Sequence, residues 1–382
     1  MKLLYDHQIF TLQRYGGISR YFCELMDYYS RMSKLTFILA LRQSENENLI
    51  TRSTLNQYWS NKSLFFSSAI FKVIQKYMRI NLLKKYNINK NESIRLLKKN
   101  NFDIFHPTYY NPYFLQYLGK KPFVLTVYDM IHELYPSYFS PNDPTKTWKR
   151  KLIEQADTII AISHNTKKDI MKYTNVHPDQ IKVVYLGNPF DYMNNHNHSN
   201  FEYHLFEKPF LLYVGNRYGY KNFQFFIKSV AEILKNEEDM RVYCAGGGQF
   251  TQAELKIFNN LGINSKVSLI EINDIILKKL YENAQAFIFP SLYEGFGLPI
   301  LEAFSCGCPA ILSDCSSLTE VGGDAAYYFN PTDPDSMRSA IHNVINDEKL
   351  RCQMISKGKK RVQEFSWKNT AIATKRVYEN LI

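Results

Sequence analysis

The sequence predicts an α/β protein made of two similar, doubly wound domains. Short apolar runs alternate with amphipathic stretches of helical length along nearly the whole chain. That is the pattern of parallel sheets covered by helices on both faces. The alternation stops at the polar, unpatterned MNNHNHSN of residues 193–200 and then restarts. With 382 residues, 45% hydrophobic and 22% charged, the chain has material for two cores, and disorder is excluded as its main state.

The first domain is expected over residues 1–195. Its buried strands read as 2–6, 35–41, 102–106, 122–128, 157–162 and 181–186. Residues 193–200 form the linker, and His196 and His198 in it are read as solvated rather than as metal ligands. The second domain is expected over 205–365, with strands at 209–215, 240–246, 267–270, 286–290 and 309–312. Residues 366–382 read as a separate terminal helix, with Ser366 as N-cap, expected to pack back on the first domain. In open α/β sheets ligands bind beyond the carboxyl ends of the strands. The cleft between two such domains is therefore the expected site.

The net charge is +11, and it is unevenly spread. Residues 51–100 hold 11 Lys/Arg and one acid, Glu92, whereas the other 332 residues hold 36 bases and 35 acids. The start, MKLLYDHQIF, puts Asp6 and His7 where a secretory leader needs its apolar stretch, and no apolar run is long enough to span a bilayer. The six cysteines form no CxxC pair. Cys306 and Cys308 read as small buried residues at a helix-to-strand turn. Together these features point to a cytoplasmic protein.

The segment AFIFPSLYEGFGLPILEAFSCGCPAIL, residues 286–312, carries the most chemistry. A buried strand ends near Pro290, a loop with Gly295 and Gly297 follows, and a helix starts at about Leu298. Such a turn aims unpaired N–H groups outward, and the helix dipole adds positive potential, so a diphosphate fits. Glu294 and Glu302 would repel that anion. They are better used as acceptors for sugar and ribose hydroxyls. Two sequences imitate other sites. Asp333-Pro-Asp335 mimics a metal-binding DxD but reads as a helix cap, with Pro334 at the first helical position. Gly246-Gly247-Gly248 mimics a dinucleotide loop but is a weak signal alone.

The Glu294-x7-Glu302 pattern within PSLYEGFGLPILEAFSCGCP resembles the signature of family 4 (group 1) retaining glycosyltransferases with the GT-B fold, of the kind acting in bacterial surface polysaccharide or O-antigen synthesis. YDHQIFTLQRYGGISRYF, FHPTYY, TVYDMIHELYP, ADTIIAISHNTKKDI and YVGNRYGYKNF are similar to family segments in the same order. The resemblance implies two facing Rossmann-like domains, a central cleft and a C-terminal crossover helix. It implies a hexosyl transfer from a nucleotide diphosphate sugar, GDP-mannose or a UDP-hexose, to a glycan or lipid-linked glycan, with retention and without a metal or other cofactor.

It also implies residue roles. Glu302 would hold the donor ribose, Glu294 the donor hexose, and the backbone from Gly295 and Phe296 through Gly297 to Leu298 the diphosphate. Arg217 and Lys221 match the cationic pair that neutralises it, although family members usually space these two farther apart. A metal-free enzyme must stabilise the leaving phosphate with such fixed charges. Gly16 and Gly17 would lie opposite the donor. Tyr128 stands where many relatives have a histidine. Asp129 or His132 is expected to position donor or acceptor, and His106 is either a cleft residue or a satisfied core histidine.

Residues 61–99 lie mostly outside the resemblance. Phe66, Ile70, Val73 and Tyr77 repeat at helical spacing, with Lys72, Lys76 and Arg79 on another face. A cationic amphipathic helix fits an anionic membrane surface on the inner leaflet. A solvated helix packed on the first domain is the alternative. No groove-reading motif supports nucleic acid as a partner. A non-catalytic binder of nucleotide sugar or glycan is the alternative to the enzyme.

Overall fold

The computed structural model describes residues 1–59, 79–191 and 207–382. The expected linker and the amphipathic stretch 61–78 lie outside these residues.

Among the described residues there are twelve strands, and every pairing between them is parallel. In the first half they are β1 (Lys2–Tyr5), β2 (Thr36–Leu39), β3 (Ile104–His106), β4 (Val124–Val127), β5 (Thr158–Ala161) and β6 (Ile181–Val183). They form two three-stranded sheets, β2-β1-β3 and β4-β5-β6. A single parallel bridge, Phe105 to Phe123, joins the two. In the second half β7 (Phe210–Val214), β8 (Arg241–Ala245), β9 (Val267–Ile270), β10 (Ala286–Phe289), β11 (Ala310–Ser313) and β12 (Tyr327–Phe329) form one sheet, ordered β12-β11-β10-β7-β8-β9. This is a Rossmann-type order, and its direction reverses between β7 and β10. The loops leaving those two strands carry Arg217 and Lys221, and Glu294.

The central strands read as unbroken apolar runs because helices cover both faces. All four residues of β4, β5, β10 and β11 are buried. The helix Phe223–Asn236 shows the complementary pattern. Phe223, Phe226, Ile227, Val230, Ala231 and Leu234 are buried on one face. Gln224, Lys228, Glu232 and Lys235 face solvent on the other. Burying each large apolar side chain of that stripe contributes about 1.5–3 kcal/mol.

The helix Trp367–Glu379 is capped by Ser366, whose side chain accepts the Asn369 N–H. It lies against the first half. Tyr29 Oη donates to Ala371 O at 2.9 Å. Tyr378 Oη is 3.2 Å from Tyr5 Oη and 2.6 Å from His106 Nδ1. His106 Nε2 is 2.9 Å from Thr126 Oγ1. His106 is thus a satisfied core histidine, and burial lowers its pKa to about 3.

Candidate active site

The two loops at the switch point are tied together. Leu292 N–H donates to Tyr220 O at 2.8 Å. Lys221 Nζ donates to Glu294 Oε1 at 2.6 Å, and Ser291 Oγ donates to the same oxygen at 2.7 Å. The pair is mostly but not wholly buried, with 18% of the Lys221 side chain and 13% of the Glu294 side chain exposed. A Lys–Glu pair with an open edge can trade partners with a ligand at modest cost. A fully desolvated pair cannot.

The backbone of the Glu294 loop is fixed from the turn after β11, where the helix Ser317–Gly322 begins. Ser316 Oγ accepts the Glu294 N–H at 3.0 Å. Ser317 Oγ lies 2.8 Å from Glu294 O and 3.0 Å from Phe296 O. Gly297 caps the helix Leu298–Ser305 with φ 106°, which favours glycine. Glu302, inside this helix, is buried and accepts from Tyr281 Oη at 3.0 Å. Burial raises its pKa to about 6, against the pull of the Arg20 guanidinium and the Tyr281 hydroxyl. Arg20 comes from the first half and pairs with Asp274 of the second at 2.9 Å.

Gly16 and Gly17 open the helix Gly17–Ser30, directly across from the helix Leu298–Ser305. A Cβ on Gly17 would lie 3.1 Å from Leu298 Cδ1. A Cβ on Gly16 would lie 2.3 Å from Gln13 Oε1, so that glycine makes room for its own loop.

Arg217 departs from the sequence expectation. Its guanidinium is turned inward rather than toward a diphosphate. Nε donates to Glu254 at 2.8 Å, Nη1 to Gly246 O at 2.7 Å, and Nη2 to Gly248 O and Gln249 O at 2.8 and 2.9 Å. The ring of Phe250 lies 4.8 Å from Cζ. Arg217 therefore organises the Gly246–Gly248 loop, whose three glycines all have positive φ. It leaves Lys221 as the member of the expected pair that sits at the switch point beside Glu294. The short Arg217-x3-Lys221 spacing is consistent with this division of labour. Asp333 likewise acts as a cap, accepting the N–H groups of Asp335 and Ser336.

The first half meets this site through the loop after β4. A Cβ on Gly295 would sit 1.7 Å from Tyr128 O and 3.1 Å from Asp129 Cβ. Asp129 is therefore brought to the Glu294 loop. Its Oδ1 accepts the Ile131 N–H at 3.1 Å, and the side chain is 34% exposed. His132 stacks on Phe139 at 3.9 Å and has Nε2 3.6 Å from Asp143. Burial and Lys149 lower its pKa. Tyr128 itself is buried, and its hydroxyl has no hydrogen-bond partner among the described residues.

The sequence reading missed several residues that join the halves. Tyr293 Oη donates to Asp169 at 2.7 Å and accepts the Met130 N–H at 3.2 Å. Ser163 Oγ donates to Gly295 O at 2.7 Å. Glu320 accepts the N–H groups of His164 and Asn165 at 2.7 and 3.0 Å, capping a first-half helix from the second half. These contacts pair residues more than 100 positions apart, and no local pattern announces them. Lys149 and Glu133, fully and largely buried beside Asp129, were missed for the same reason. Among the described residues no cluster of three His, Cys, Asp or Glu side chains could hold a metal ion.

The chain is similar to known proteins. Residues 15–189 match the Glycosyltransferase Family 4 description, and residues 198–361 match Glycosyl transferases group 1. O-antigen chain mannosyltransferase B of Escherichia coli is 29% identical over 290 residues, covering 73% of this chain and 74% of that protein. O-antigen chain mannosyltransferase RfbU of Salmonella typhimurium is 29% identical over 219 residues, covering 56% of this chain and 59% of that one. A glycosyltransferase from Rickettsia africae has a similar structure, with TM-score 0.70, 17% identity, and coverage of 100% of this chain and 98% of that one. WaaG, a glycosyltransferase of lipopolysaccharide biosynthesis, matches with TM-score 0.66 and 14% identity over 98% of this chain and 100% of that one. The chain has the GT-B fold of two Rossmann-like halves, and it belongs to the group 1, family 4 glycosyltransferases.

Proposed function

We propose that this glycosyltransferase moves a hexose from a nucleotide diphosphate sugar to a hydroxyl of a glycan or lipid-linked glycan, retaining the anomeric configuration. The observation that carries the reading is the Lys221–Glu294 pair at the β7/β10 switch point, with Glu302 inside the adjoining helix. GDP-mannose is the first donor to test, because the similar O-antigen enzymes are named mannosyltransferases. UDP-hexoses come second. An O-antigen or related surface glycan is the favoured acceptor class.

In this reading Glu302 accepts from the donor ribose hydroxyls. Glu294 accepts from the hexose hydroxyls when Lys221 turns to the phosphates. As the bond from C1 to the β-phosphate oxygen breaks, its electron pair collects on that phosphate. Lys221 and the amides at Phe296–Leu298 stabilise the charge by position. The acceptor oxygen bonds to C1 from the face being vacated, and its proton passes to the departing phosphate. Asp129 and His132 orient the sugars from the opposite wall. No metal is required in this scheme, so activity persists in EDTA.

A thermal-shift panel of nucleotides and nucleotide sugars tests the donor, since a ligand that binds the folded state raises its melting temperature. NMR of the product's anomeric proton tests retention; an inverted product refutes it. We also propose that residues 61–99 hold the enzyme on an anionic, cytoplasmic leaflet. Among the described cations of this stretch, Lys85 pairs with Glu45 and Arg95 with Glu92. Flotation with anionic vesicles, comparing wild type with a Lys72→Glu, Lys76→Glu, Arg79→Glu variant, reads this. Equal flotation refutes it.

A further inference from the structure

Lys149 lies in the helix Thr145–Gln155, and its side chain is completely buried. A buried ammonium group costs several kcal/mol unless it is paired. Glu133 Oε2 supplies the pair at 2.7 Å, and the ring of Tyr110 lies 5.7 Å away. Two apolar side chains of similar volume would serve stability as well. They could not replace the third contact, in which Lys149 Nζ donates to the backbone oxygen of Asp129 at 3.0 Å. The neighbouring peptides of Asp129 are the ones that touch the Glu294 loop. Tyr128 O abuts Gly295 so closely that no Cβ fits between them, and Met130 N–H donates to Tyr293 Oη. Lys149 Nζ also stands 3.8 Å from Asp129 Oδ1.

We infer that Lys149 is a positioning residue: it holds the Tyr128–Met130 backbone in the one register that sets the Asp129 carboxylate against the Glu294 loop. The inference deepens the donor-site reading above and rests on it for its link to turnover. Lys149 contacts Glu133, Asp129 and Tyr110, whereas Glu302 is held by Tyr281 on the other half. Nucleotide affinity should therefore survive its loss, while transfer should not. His132 supplies an independent reporter. Lys149, Asp129, Glu133 and Asp143 are the charged groups around it. Lys149 opposes protonation of the imidazole, and the three acids favour it.

The test uses the full chain as wild type, Lys149→Met, and Lys149→Met with Glu133→Gln. The double variant removes the carboxylate that the single variant would strand, so a folded comparison is retained. Circular dichroism checks the fold, calorimetry with GDP reads nucleotide affinity, GDP release from GDP-mannose reads turnover, and NMR titration reads His132. The expected result is GDP affinity within twofold of wild type, turnover at least tenfold lower in both variants, and His132 titrating at a higher pH in Lys149→Met. Unchanged turnover, or affinity and turnover falling in proportion, overturns the inference. So does an unshifted His132. A wild type that binds neither GDP nor UDP refutes the donor-site reading instead; the Asp129 and Met130 amide signals in the same NMR spectra, shifted in both variants if Lys149 holds this backbone and unshifted if it does not, then decide the Lys149 inference alone.

Discussion

The carbonyl oxygen of Tyr128 occupies the space a side chain on Gly295 would need: a Cβ there would sit 1.7 Å from it. This contact joins the loop after β4 in one half to the loop after β10 in the other. Gly295→Ala should force the two apart. We expect a loss of about 1–3 kcal/mol, the range for a buried steric insertion, and turnover lowered by at least a hundredfold. Thermal unfolding and GDP release measure the two effects. Normal turnover in this variant would show that the closed contact is dispensable.

Arg217 and Lys221 should separate by phenotype. Arg217→Met strands Glu254, whose side chain is 7% exposed, and breaks three contacts to loop carbonyls. The expected cost is about 3–5 kcal/mol, with part regained in Arg217→Met, Glu254→Gln. Lys221→Met removes one member of a half-open pair. It should lower stability by about 1 kcal/mol and turnover far more. Chemical denaturation beside turnover assays distinguishes the two. Equal stability losses would contradict the structural assignment of Arg217.

Glu302 makes donor binding depend on pH. Its folded-state pKa is raised to about 6, above the ordinary glutamate value of about 4. The folded protein therefore holds this proton more tightly than the unfolded chain does. Stability from this group is greatest below about pH 4 and is lost as pH rises to 6. Ribose binding needs the carboxylate and has the opposite trend. GDP affinity should weaken several-fold from pH 7 to pH 5, and Glu302→Gln should flatten that slope. Calorimetry across this range reads it. An equal slope in the variant would assign the proton elsewhere.

Glu320 caps the helix His164–Tyr173 across the domain boundary. Glu320→Ala should cost about 1 kcal/mol, the usual value of a lost cap. Because the cap is supplied by the other half, small-angle scattering should also show a broader distribution of sizes. A stability loss with an unchanged profile would make the cap purely local.

The strands were legible because the sheets are buried on both faces, so AFIF and TIIA stand out as apolar runs. The 294–302 loop and helix were legible because a glycine turn, a helix start and two acids fall within a short stretch. The setting of Arg217 was not legible because sequence shows a cation but not the carboxylate that pairs with it, here Glu254, 37 positions away. Lys149 was passed over because a lysine on a helix normally faces solvent. Its burial depends on Glu133 and on the Asp129 carbonyl. His106 could be settled only once the terminal helix brought Tyr378 to it.

The most direct measurement is GDP release from GDP-mannose by wild type and Glu294→Ala, with GDP affinity measured on both. The account predicts that the variant binds GDP within a few-fold of wild type, because Glu302 and the Phe296–Leu298 backbone remain, and that its turnover falls by at least a hundredfold. Full turnover in Glu294→Ala would contradict it.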